Sequence, residues 1–109
     1  MLSDPAYPPR LRRLSSPPPI LHLRGVLPHG PMVALVGSRA ASMAAVARTQ
    51  ALASALARHG VVVVSGGAIG VDAAGHLGAL EAGGTTVAVL GSGLDNLYPE
   101  RNQPLFLRI

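Results

Sequence analysis

The chain has 109 residues, 49% of them hydrophobic, and a formal charge of +4 from nine basic and five acidic residues, with no cysteine. That length fits one domain with a modest core, and the lack of thiols excludes a disulfide framework or thiolate metal site and suits a reducing cytoplasm. No apolar run approaches the ~20 residues of a spanning helix, and Asp4 with several prolines breaks the start where a signal peptide needs an apolar stretch, so a soluble, unprocessed, cytoplasmic protein is expected.

Residues 1–31 hold eight of the ten prolines, which rules out a continuous helix there and predicts a Pro-rich N-terminal extension ahead of a main domain over 32–109. Ile20 to Leu23 reads as a short strand or extended ribbon. Arg10, Arg12, Arg13 and Arg24 face only Asp4 in this region, so most of the positive charge is N-terminal. The cluster reads either as a solvated face or as a nucleic-acid patch.

Met32 to Val36 is the first predicted strand, stopped by Gly37, Ser38 and Arg39. From about Ser42 to His59 the Ala- and Leu-rich run predicts a helix, with Ser42 as N-cap, Gly60 just past its end, and Leu52 and Leu56 spaced to lie on the sheet. Val61 to Val64 follows as a buried parallel strand, because an unbroken β-branched run means both faces are covered. The order strand, helix, strand is a right-handed parallel unit.

Ser65, Gly66, Gly67 and Gly70 then form a loop in which the backbone is open to a ligand, and the next helix, about Asp72 to Ala82, aims its positive end at the same place. Asp72 is most simply that helix's N-cap. Thr85 to Leu90 is the third strand, ending in Gly91, Ser92 and Gly93. The segment from Leu94 to Glu100 has turn chemistry, and Asn102 with Pro104 starts a further helix. The expected fold is α/β: a three-layer Rossmann-like parallel sheet, truncated, whose apolar edge or face needs further strands or another chain as cover.

In a parallel sheet the three loops converge on one edge, where open α/β folds bind ligands. That points to a phosphate or nucleotide-like ligand, against the alternative that the glycines only make tight turns. NAD and FAD are disfavoured, since the first turn reads GSRAAS and the second strand ends in serine rather than an acid. Arg39 is a candidate phosphate clamp; otherwise it pairs structurally with Asp72 or Asp95. Ser38, Ser65 and Ser92 read as hydroxyl donors to an anion, without the flanking pattern of a nucleophile elbow. Asp72 and His76 stand four apart, but no third ligand has the right spacing, so no metal or cofactor is expected.

The segments VALVGSRAAS (33 to 42), VVVVSGGAIGVDAAGHLGAL (61 to 80) and GGTTVAVLGSGLDNLYPERN (83 to 102), with the leading YPPRLRRLSSPPPILHLRG (7 to 25), resemble the DprA/Smf family of DNA-processing proteins. The resemblance implies an extended Rossmann fold that binds and protects single-stranded DNA in uptake, natural transformation and recombination. It also implies help in loading the RecA recombinase, and it leaves monomer and homodimer open. By that likeness Gly37, Ser38, Arg39, Ser65, Gly66, Gly70, Asp72 and His76 fall on the family's ligand-edge motifs; Gly67, Gly91 and Ser92 complete the expected phosphate or DNA site. Two positions depart from the family pattern: Ile69 stands where a basic residue is usual, and Ala44 and Ala45 where a glycine opens the first helix. A non-enzymatic DNA-binding module is the leading expectation. The rival is a nucleoside-monophosphate-handling enzyme using Asp72 or Glu81.

Overall fold

In a computed structural model of the protein, which describes residues 2–3, 5–91, 94 and 99–109, three parallel strands carry the fold. They are β1 (Met32–Ala34), β2 (Val62–Ser65) and β3 (Thr86–Ala88), in the spatial order β1-β2-β3. Each strand is shorter than, or offset from, its apolar run, yet the ladder continues past the strand ends. Leu35 N–H donates to Val64 O, and Val89 N–H donates to Ser65 O.

Helix α1 is a single turn (Pro9–Arg12), and the long helices α2 (Met43–Arg58) and α3 (Val71–Glu81) make the two crossovers. Ser42 caps α2 as expected, its hydroxyl accepting from the Ala45 N–H at 3.1 Å, and Gly60 follows the end at φ +75. Ala53 of α2, Val63 of β2 and Ala79 of α3 form one buried cluster, with Leu35, Leu56 and Ala57 packed against it, so both helices lie on the same face of the sheet. Of the expected leucine stripe, Leu56 packs but Leu52 is half exposed. The reason is Gly78: a Cβ there would run into the Gln50 carbonyl and come within 2.9 Å of the Ala53 Cβ, so small residues draw α2 and α3 together along the Gln50–Ala53–Ala57 side.

Asp72 is not the N-cap of α3. Gly70 is, at φ +87, a conformation that disfavours any side chain, and a Cβ there would lie 2.5 Å from Ser38 O. The loop after β1 presses on the start of α3, and Val71 N–H donates to Ser38 O at 3.2 Å. Asp72 thereby becomes an acid inside the first turn.

Beyond α1 the proline-rich segment is irregular. Ile20 to Leu23 forms no strand, and Ile20 and Leu23 are half exposed. Tyr7 is buried and its hydroxyl donates to Pro18 O at 2.6 Å, while Leu2 N–H donates to Pro19 O. The basic cluster helps hold this segment together: Arg12 donates to Leu2 O and lies over the Tyr7 ring, and Arg10 donates to Gly30 O. Arg24 reaches across to Leu94 O.

After β3 the chain forms a short 3-10 turn (Glu100–Asn102) and helix α4 (Gln103–Arg108), whose Leu105 is buried. Val36 and Val89, just past the carboxyl ends of β1 and β3, are 71% and 64% exposed, apolar surface of the kind a three-stranded sheet leaves uncovered. Among the described residues no helix is long and apolar enough to cross a membrane.

Candidate nucleic-acid interface

The carboxyl edge of the sheet holds a cleft of about 510 Å³ between the three loops. Arg39 reaches it from the first loop, Gly67 and Ile69 from the second, Gly91 from the third, Asp72 from α3 and Arg101 from the 3-10 turn. Ile69 makes that wall apolar, and the second guanidinium comes from Arg101 instead. Ser92, Gly93 and Asp95 lie outside the described residues.

The second loop is shaped from below. His76 has no exposed surface; its Nε2 lies 2.7 Å from Gly66 O and its Nδ1 2.6 Å from Thr86 Oγ1. A carbonyl only accepts, so in neutral His76 the proton sits on Nε2, and the Thr86 hydroxyl, with one proton, stands between two acceptors, Nδ1 and Val63 O. Protonation would turn Nδ1 into a donor and release that hydroxyl onto Val63 O, 2.9 Å away. Burial pushes His76 below its ordinary value of 6.5, against the upward pull of the Gly66 carbonyl and of Asp72. With both ring nitrogens engaged, His76 supports the loop and does not reach a ligand. Nor does it bond to Asp72, four residues back: its ring turns towards the sheet.

Ser65 is likewise withdrawn. It is buried, and its hydroxyl donates to Leu35 O across the β1–β2 pair. Ser38 stays at the surface, its Oγ accepting from the Ala40 N–H at 3.0 Å, which leaves its own proton free for another acceptor. Gly37 packs against the Val71 side chain, and a Cβ on Gly66 would lie 2.6 Å from Asp72 Oδ2. The glycines at 66 and 67 thus serve close packing as much as ligand access: a Gly67 Cβ would meet Leu90 and Phe106.

An anion drawn to the α3 dipole would meet a competitor already in place. Asp72 puts a carboxylate in the first turn, and the Val71 N–H is spent on Ser38 O. The positive side of the cleft is therefore Arg39 and Arg101, not the helix end. Among the described residues neither guanidinium forms an ion pair with Asp72, so the structural pairing of Arg39 with Asp72 is not formed. Glu81 lies at the far end of α3, bonded to Gln50 Nε2 at 2.7 Å, and is excluded from this edge.

Arg101 and Asn102 were not foreseen as site residues. Asn102 is buried and its Nδ2 donates to Gly67 O at 2.8 Å, tying the 3-10 turn to the second loop and setting Arg101 at the cleft. The sequence reads as a turn up to Glu100 and as a helix start at Asn102, but no periodicity places either at the sheet edge.

A parallel α/β sheet with both crossover helices on one face and glycine loops at its carboxyl edge defines a Rossmann-like domain. Residues 1–109 match the family model described as DNA recombination-mediator protein A, and the chain belongs to that DprA/Smf family of DNA-processing proteins. It is 41% identical over 112 residues to "Protein Smf" of Synechocystis, covering 97% of this chain and 28% of that protein. It is 40% identical over 104 residues to "DNA processing protein DprA" of Streptococcus pneumoniae, covering 94% of this chain and 36% of that one. The crystal structure of DprA from Streptococcus pneumoniae superposes with a TM-score of 0.65 at 45% identity, over 69% of this chain and 26% of the other. The chain thus spans about a third of the length of these relatives.

Proposed function

We propose that the domain binds single-stranded DNA along its loop edge, without catalysis, with phosphates held by Arg39, Arg101 and the open backbone of the loops. The observation that carries this reading is the convergence of two arginines, neither ion-paired among the described residues, and the glycines of the second and third loops on one cleft. Guanidinium groups suit phosphate oxygens, and phosphate contacts hold a strand whatever its sequence. Protection of the strand during DNA uptake, its delivery to RecA, a cytoplasmic location and a homodimer are the wider role we propose from the family. Residues 1–31 act as an extension to the binding domain, with Arg10 and Arg12 turned to its own backbone.

Arg39→Ala tests the mechanism. Binding of single-stranded DNA should weaken by about 1–3 kcal/mol, and the slope of log affinity against log salt should flatten by ~0.7, one phosphate contact on a single strand. The melting temperature should hold. A variant that melts several degrees lower yet keeps the parent's salt slope would move Arg39 into the scaffold.

The presence of Asp72 in the cleft favours one second reading, hydrolysis of a nucleoside monophosphate. Incubation with nucleoside monophosphates separates the two: free base, lost in Asp72→Asn, would support the enzyme.

A further inference from the structure

A pure phosphate cradle has no use for a carboxylate, yet Asp72 lines the same cleft as Arg39 and Arg101. Its side chain is only 8% exposed, and Oδ1 is buried with no hydrogen-bond partner among the described residues. An unpartnered buried acceptor is costly, and native structures keep few of them. The fold goes to some length to keep this one: Gly66 is the residue whose missing Cβ makes room for Oδ2, and Gly70, not Asp72, caps the helix, so capping does not account for the acid. Nor does ion pairing, since no arginine reaches it and the neighbouring His76 is engaged with Gly66 and Thr86.

Such an acceptor repels phosphate and attracts an N–H. Two cations and one acceptor in a cleft of about 510 Å³ describe a group that carries a negative charge and a hydrogen-bond donor a few ångströms apart. A nucleotide unit is that group: its phosphate meets the arginines, and its base presents an N–H. Every natural base has one, whether an exocyclic amine or a ring imide. We infer that the cleft is a one-nucleotide pocket in which Arg39 and Arg101 hold the phosphate while Asp72 accepts a hydrogen bond from the base of the same strand. This rests on the single-stranded DNA reading and adds to it: the base is required but not identified. Backbone contacts give affinity, and Asp72 rejects a strand that offers no donor.

The test uses three oligonucleotides of one length and charge, titrated into the full chain at low salt: oligothymidylate, the same oligomer with N3-methylthymine throughout, and an abasic oligomer. The methyl group removes the imide donor and keeps the ring for stacking. The expected result is about tenfold weaker binding of the N3-methyl and abasic strands than of oligothymidylate, the loss of one hydrogen bond to a charged group. In Asp72→Ala that discrimination should vanish, with the salt slope unchanged. Equal binding of oligothymidylate and its N3-methyl form by the parent chain would overturn the inference while leaving the DNA reading intact. Discrimination that persists in Asp72→Ala would also overturn it, assigning the preference to another group. Failure to bind any of the three would overturn both readings together. The comparison between oligonucleotides needs no variant, so the inference stays falsifiable even if Asp72→Ala does not fold.

Discussion

Helices α2 and α3 are joined to the same sheet and lie on the same face, but they are differently committed. α2, the longer by five residues, fully buries only Ala53, and exposes Met43 and Leu52. α3 buries Asp72, Ala74, Gly75, His76, Gly78 and Ala79. Gly75 sits against Leu35 and Val63 of the sheet, and Gly78 against α2, so α3 is packed closely against both neighbours. Small residues allow the grip; polar ones use it. Asp72 and His76 are both buried on this closely packed helix. The site residues therefore ride on the more deeply buried of the two helices.

Substitutions on the two helices should separate those roles. The largest effect is expected from Gly78→Val, whose Cβ meets the Gln50 backbone carbonyl, which cannot swing away as a side chain could. Overpacking of that kind should cost about 3 kcal/mol or more, read by denaturant unfolding. His76→Ala should come next, at about 2–4 kcal/mol. It opens a cavity and leaves the Gly66 carbonyl without its imidazole donor and the Thr86 hydroxyl with Val63 O alone. DNA affinity should fall with it at temperatures where the variant is still folded, because the second loop loses its support.

A pH series sharpens the same contrast. The folded state holds His76 below 6.5, so in the window below 6.5 the unfolded chain takes up a proton that the folded chain refuses. Stability from this group is full above 6.5 and is lost as pH falls towards the lowered folded value. Melting temperatures recorded from about pH 8 to about pH 5 should drop more steeply in the parent than in His76→Gln. Parallel curves would show that the imidazole's burial does not govern acid sensitivity. The smallest effect should be Leu52→Ala on α2, within about 0.5–1 kcal/mol, since half of that side chain is already in water. A loss comparable to that of Gly78→Val would mean α2 is held as tightly as α3.

The DNA-processing family was legible in the residues, and so was much of the fold, for a local reason. Runs such as MVALV, VVVV and TTVAVL between glycine turns, with an Ala- and Leu-rich helix between the first two, leave little choice but parallel strands and crossovers. Ser42 and Gly60 mark the ends of α2 by interactions within a few residues of themselves. The candidate site was legible only as a place. That three loops meet at one edge follows from strand direction alone, but which side chains face the cleft does not. Ser65 looked like an anion donor because it adjoins the glycines, and His76 fell on the ligand edge by the family resemblance; both are turned inward by partners 30 and 10 residues away in the chain. Asp72 looked like a cap because it opens a helical pattern, and the approach of Ser38 and Arg39 gave that position to Gly70.

The strands, the two crossovers and the glycine edge are thus properties of the sequence itself, since propensity, apolar period and turn chemistry act over short stretches of chain. The tertiary structure alone decided which charges share the cleft. Arg101 arrives there through Asn102 and Gly67, 35 residues apart, and Asp72 lines the same cleft with one carboxylate oxygen unpartnered among the described residues. Hydrogen bonds and close contacts between distant segments carry no signature in the order of residues, because their energy exists only once the loops have been brought together.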